Sequence, residues 1–151
     1  MKKILLSITM LAIAFSANAQ LDKDSIATKL KAMEVAWNNS ALEKDHGVKT
    51  KSDILADDYY QIDSKTGKMQ NKTESLLHDT NSKDVTISVV NGAMTVHFYG
   101  TNVATVIGSH STKEKDSKGK ISSKTHRWVD TYMERNGKWQ CIASGGDNVI
   151  N

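Results

Sequence analysis

Apolar side chains at Ile26, Leu30, Met33 and Trp37 recur at spacings of four, three and four, and Leu42 extends the same stripe. That is the period of an amphipathic helix, which predicts one from Asp22 to about Lys44. Asp22 or Asp24 can cap its start, where a carboxylate also meets the helix dipole, and Gly47 is a natural stop. A second, shorter helix from about Val48 to Ala56 packs Val48, Ile54 and Leu55. The pattern then changes period. From Tyr59 to Asp63 it alternates, with Tyr59, Gln61 and Asp63 on one face and Tyr60 and Ile62 on the other, as in a strand. A turn at Ser64 to Gly67 and a third short helix from Lys72 to Asp79 follow.

Beyond Asp84 the alternation continues almost to the end. Val85, Ile87 and Val89 interleave with Thr86, Ser88 and Val90. Asn91-Gly92 and Asn136-Gly137 are both strong hairpin signals. Segments Met94 to Tyr99, Val103 to Thr112, Ile121 to Arg135 and Lys138 to Ser144 complete a meander. The charge run from Lys113 to Lys120 reads as a solvated hairpin tip or, alternatively, a partner-binding patch. Helices first, then a strand carrying acid, then long hairpins predict a small α+β cone with a pocket.

Composition alters this picture at the N-terminus. Lys2 and Lys3 precede an apolar run from Ile4 to Phe15 and the small-x-small motif Ala17-Asn18-Ala19. This is the layout of a cleavable export signal, and the run is short for a bilayer span. The expectation is residues 1–19 as a signal peptide and 20–151 as one domain, exported to the periplasm or the medium. The chain has 20 Lys+Arg and 17 Asp+Glu, so losing Lys2 and Lys3 leaves 18 basic against 17 acidic side chains. With Arg127 and Arg135 the only arginines, a nucleic-acid partner is not expected, nor is a membrane. The absence of proline argues against a linker-joined, multi-module layout. Cys141 is the only cysteine, so no internal disulfide is expected, and its apolar strand suits a small core residue.

Several side chains carry potential chemistry. Asp63 is either a carboxylate facing the pocket, where burial would raise its pKa and suit it to shuttle protons, or a turn-forming aspartate. Asp130 shares a strand face with Trp128 and Tyr132. It is either an acid able to hydrogen-bond an oxyanion or a cross-strand partner for Lys or Arg. Trp37 reads as a core residue of the first helix, and Tyr59, on the face of Asp63, can supply a hydroxyl. His97, His110 and His126 fall in strands, and His110 is the one placed to face the pocket. His46 and His78, near helix ends, read as surface residues. Asp57 and Asp58 read as the end of the second helix, bonding neighbouring backbone. No two histidines have close metal-ligand spacing, so neither a metal nor another cofactor is expected.

Trp37, Ala56-Asp57-Asp58, Asp63 followed by Gly67, Ala104 to Gly108, and Asp130 followed by Asn136 to Trp139 together resemble the nuclear transport factor 2-like superfamily. The likeness is to its SnoaL-like and ketosteroid-isomerase-like members, including a bacterial branch of unknown function, and covers roughly residues 22–149. The resemblance implies three N-terminal helices packed on a curved antiparallel sheet around a conical cavity, and a homodimer formed through the outer sheet face. It also implies Asp63 as the general-base position and Asp130 as the second, proton-donating acid. Trp37 stands where the isomerases carry a tyrosine. An indole N–H donates but lacks a phenol's acidity, which argues against steroid-type isomerisation. The candidate set is thus Asp63 and Asp130 for catalysis, with Trp37, Tyr59, His110, Trp128 and Tyr132 for a small, fairly apolar ligand. Three functions fit: a binding module, a lyase, isomerase or cyclase using Asp63, or a dimerisation module with a filled cavity.

Overall fold

A computed structural model describes residues 22–63 and 66–149 of the chain; the expected export signal, residues 1–19, lies outside the described residues. Helix α1 spans 22–40. It is followed by α2 (Val48–Ile54), β1 (Leu55–Ile62), β2 (Met69–Asn71), α3 (Lys72–Thr80), β3 (Val85–Asn91), β4 (Thr95–Tyr99), β5 (Val103–Lys115), β6 (Ile121–Arg135) and β7 (Lys138–Val149). The strands form one seven-stranded sheet in the order β2-β1-β7-β6-β5-β3, with β4 also paired to β5. The sheet is mixed rather than wholly antiparallel, because β1 runs parallel to β7. No hairpin joins those two strands; the whole meander separates them, so no tight turn dictates an antiparallel pairing. The third helix enters only after β1 and β2.

Helix α1 stops at residue 40, short of Lys44. The Ser40 hydroxyl turns back to the Trp37 carbonyl (2.6 Å), tight turns follow, and Leu42 is half exposed instead of extending the stripe. Helix α2 also ends early. Leu55 and Ala56 are buried in β1, so Asp57 and Asp58 are strand residues. Asp58 grips Arg135 through two 2.8 Å bonds, and Asp57 meets Lys72 at 3.2 Å. Strand β2 closes a hairpin on β1, and its last residue, Asn71, opens α3 with a capping box shared with Glu74.

The two Asn-Gly signals diverge. Asn136 (φ 54) and Gly137 (φ 80) both adopt the left-handed conformation and close the β6–β7 hairpin as expected. Asn91-Gly92 does not form a hairpin, and neither residue has positive φ. Strands β3 and β4 instead lie end to end on one edge of β5, with Asn91 opposite His110 and Thr95 opposite Ile107. The Asn91 side chain is drawn to α1, where it meets Asn38 (2.8 Å) and Asn39 (3.1 Å).

Strands β5 and β6 pair along their full lengths, and β6 carries His126, Trp128, Asp130 and Tyr132 on its inner face. An extra residue, Ile142, interrupts the β6–β7 ladder between Thr131 and Tyr132, a bulge of the kind that bends a sheet. The core gathers Leu55, Tyr59, Val106, Trp128, Tyr132 and Trp139 with Leu30 of α1, while Ile26, Met33 and Trp37 pack at its edge. Cys141 is fully buried there, and burial pushes its thiol well above the ordinary range, so it is a core residue.

Candidate functional site

The inner face of the sheet and α1 enclose a cavity of about 320 Å³, and its floor is acidic. Asp130 lines it from β6 and is only 4% exposed. Beneath it lies Glu34 of α1, 1% exposed, which accepts a 2.7 Å hydrogen bond at Oε1 from the hydroxyl of fully buried Tyr132. Burial, reinforced by the neighbouring Asp130 carboxylate, pushes Glu34 up to about 9. Burial likewise pushes Asp130 up to about 7, against the opposing pull of hydrogen bonds from Ser144 and Glu34. Two carboxyls in one dry site cannot both ionise cheaply, so the pair holds a proton between them. The Oδ1 atom of Asp130 is wholly buried, and among the described residues no N–H or hydroxyl reaches it, which leaves the shared proton of Glu34 as the donor within the pair.

The walls are aromatic and imidazole. Trp37 lies edge-on to Tyr59, with ring centres 6.2 Å apart. Trp128 donates its indole N–H to Nδ1 of His110 at 3.1 Å. An imidazole accepting at Nδ1 carries its proton on Nε2, so His110 is a neutral donor from that atom. Burial, with the adjacent His126 ring stacked at 4.8 Å, pushes His110 down to about 4, which keeps it neutral. Gly108, opposite Trp128 on β5, makes room for the indole: a Cβ there would stand 2.5 Å from Trp128 Cζ2.

The mouth is polar. Asp63 borders it while closing the β1–β2 turn: its Oδ1 accepts from the Thr66 amide (2.7 Å) and hydroxyl (2.8 Å). His78 and Asp79 of α3 lie on the same border, with Asp79 bound by Lys51 at 2.7 Å. Arg127 and Asp147 face each other across β6 and β7. A second chamber of about 300 Å³, beyond His110 and His126, is lined by Lys124 and Glu114, which pair with one another. Among the described residues no three His, Cys, Asp or Glu side chains are grouped to hold a metal ion.

Of the residues singled out from sequence, the structure brings Trp37, Asp63, His110, Trp128 and Asp130 to one cavity. Tyr59 and Tyr132 stand behind its wall, fully buried, with their hydroxyls engaged by Gln61 (2.8 Å) and Glu34. His78, read as a surface residue, is at the mouth. Glu34 and Ser144 were not singled out. The signal for Glu34 was present: it sits four residues after Leu30 and beside Met33, a charge inside an apolar stripe.

The sequence matches no protein-family model and no curated protein. The backbone does resemble solved structures. A hexachlorocyclohexane dehydrochlorinase (LinA type 2) superposes with a TM-score of 0.74 at 12% identity, over 87% of this chain and 90% of that one. A nuclear transport factor 2-like protein from Cytophaga hutchinsonii gives 0.68 at 16% identity, over 81% and 97%. Another from Rhodospirillum rubrum, described as of unknown function in nutrient uptake, gives 0.67 at 19% identity, over 80% and 98%. The chain has the nuclear transport factor 2-like fold.

Proposed function

We propose that this chain is an exported domain that binds a small molecule in the cavity, docked on Asp130. The observation that carries this is a cavity of about 320 Å³ bordered by two tryptophans, with the buried acid Asp130 in its lining. The aromatic walls supply contact area, and His110, Asn38 and Asp130 supply orientation. The open space at Asp130 weighs against a cavity plugged by its own side chains. A fragment screen by NMR tests the proposal. Hits are expected to shift the Trp37 and Trp128 indole signals and to lose that effect in Asp130→Asn. Shifts confined to residues outside the cavity, or no hits, would contradict it.

A second reading, a proton-transferring lyase, isomerase or cyclase, is favoured by one observation. Burial lifts Asp130 to about 7, where a carboxyl exchanges protons at neutral pH. The neutral His110, elsewhere in the lining of the same cavity, supplies a hydrogen-bond donor. In this reading Asp130 takes the acid/base role assigned to Asp63 from sequence, because Asp63 is committed to its turn. The dehydrochlorinase neighbour supports it only as an analogy of fold. For assembly we propose a homodimer through the outer sheet face, where Val90, Tyr99, Ile107 and Val129 are exposed. Light scattering is expected to give twice the protomer mass, and a single-protomer mass would reject the dimer.

A further inference from the structure

We infer that the far end of the β5–β6 hairpin docks the chain on an anionic lipid surface. This stands apart from the cavity and from its reading as a binding site. Residues 113–124 carry five lysines against two acids, Glu114 and Asp116, and without them the rest of the exported chain is net acidic. The near balance of the whole, which argued against a membrane partner, conceals this separation. Lys113, Lys115, Lys118 and Lys120 are all exposed. Among the described residues the lysine ion pairs are those of Lys49, Lys51, Lys72 and Lys124, so the four ammoniums at the tip are unpaired. The two acids of the segment are already engaged. Glu114 holds Lys124, and Oδ1 of Asp116 accepts from the Lys118 and Lys120 amides at 2.9 Å to fold the turn.

Apolar side chains share the surface. Lys115 stands opposite Val85 of β3 on one side and Ile121 of β6 on the other, so the three form one row across the outer face. Ile87 follows Val85 at the bulge in β3. Val85, Ile87 and Ile121 are 50%, 47% and 61% exposed, although each could have been polar at a solvated tip. The patch lies beyond Val90, at the tip side of the surface proposed for the dimer.

This mixture favours a bilayer over other anionic partners. Lysines without arginine offer point charges, which suit a diffuse anionic surface better than bidentate capture of one phosphate or carboxylate. A soluble polyanion would satisfy the ammoniums and leave the three apolar side chains in water. A bilayer takes both, headgroups meeting the lysines and the acyl boundary taking Val85, Ile87 and Ile121.

Flotation of the exported chain with phosphatidylcholine vesicles, with and without about one-third phosphatidylglycerol, tests this. The anionic vesicles are expected to carry at least about tenfold more of the chain than the neutral ones, and to release it at about 1 M salt. Lys113→Gln combined with Lys115→Gln is expected to weaken the partition at least about tenfold, and Ile121→Ser by about threefold. Retention on heparin should fall with the lysines and ignore Ile121. The comparison of the two vesicles on the unmodified chain decides the matter even where a variant does not fold. Equal flotation with both vesicles, or with neither, overturns the inference. Ile121→Ser floating as well as the unmodified chain also overturns it, and leaves a soluble polyanion as the partner of the lysines.

Discussion

Asp130 and Asp63 are two aspartates of one cavity with opposite surroundings. Asp130 sits at the floor, between a tryptophan and a tyrosine on its own strand and over a second buried acid. Asp63 sits at the mouth, where the Thr66 amide and hydroxyl fold a turn around it. The same side chain is a buried acid with a raised pKa in one place and a turn former in the other. What differs is enclosure. Water and local backbone satisfy the outer carboxylate, whereas the inner one has only Ser144, Glu34 and whatever enters the cavity.

The largest expected effect lies beneath the floor. Glu34→Ala removes the acceptor of the Tyr132 hydroxyl and the partner of Asp130, and should lower unfolding stability by about 3 kcal/mol in urea titrations. Glu34→Gln keeps an acceptor for Tyr132 and a donor for Asp130, and should cost less than about 1 kcal/mol. If the two variants were equally mild, floor and mouth would not differ as described.

Next comes pH. Burial holds protons on Glu34 and Asp130 that the unfolded chain would release, so the folded state binds more protons at neutral pH. Stability contributed by such raised groups is complete below their unfolded values and is lost as pH rises through the folded ones. His110, held down by burial, has the opposite sign, but only below its ordinary value of 6.5. The carboxylates lowered by hydrogen bonds, among them Asp58 and Glu114, contribute evenly above the carboxylate range. Thermal melts should therefore show stability falling from about pH 6.5, where the opposing His110 contribution ends, to about pH 9, where Glu34 ionises, with a slope on the order of 1 kcal/mol per unit for each proton still held. Glu34→Gln should flatten that slope.

The smallest effect belongs to the mouth. Asp63→Ala loses one local turn contact, should cost less than about 1 kcal/mol, and should leave ligand binding within about twofold. A loss of binding as large as that in Asp130→Asn would erase the distinction between the two acids.

How much of this could be read from the chain follows from what each signal encodes. The stripe Ile26, Leu30, Met33, Trp37 encoded α1, because burying one face of a helix needs only local spacing. The inward set Trp128, Asp130, Tyr132 was legible for the same reason in a strand. Asn136-Gly137 gave its hairpin, whereas the identical pair at Asn91-Gly92 became a join between two collinear edge strands. Local sequence proposes a turn, but the long β5 strand and the α1 amides chose the partner, and those contacts lie far along the chain. Asp63 followed its alternation correctly, yet the reach of Thr66 to its carboxylate was not written in the spacing. Glu34 was passed over because a glutamate on a helix is ordinarily solvated. Only its place inside the apolar stripe, together with a tyrosine hydroxyl 98 residues away, shows that it is not.

Carboxyl-carbon NMR, titrating the chain labelled at Asp and Glu side chains with assignment through Asp130→Asn and Glu34→Gln, tests the buried acid pair most directly. The expected result is two coupled carboxyl resonances whose steps both lie above the ordinary carboxylate range, each disturbed when the other residue is changed. Finding Asp130 and Glu34 fully ionised by pH 5 and independent of one another would contradict it.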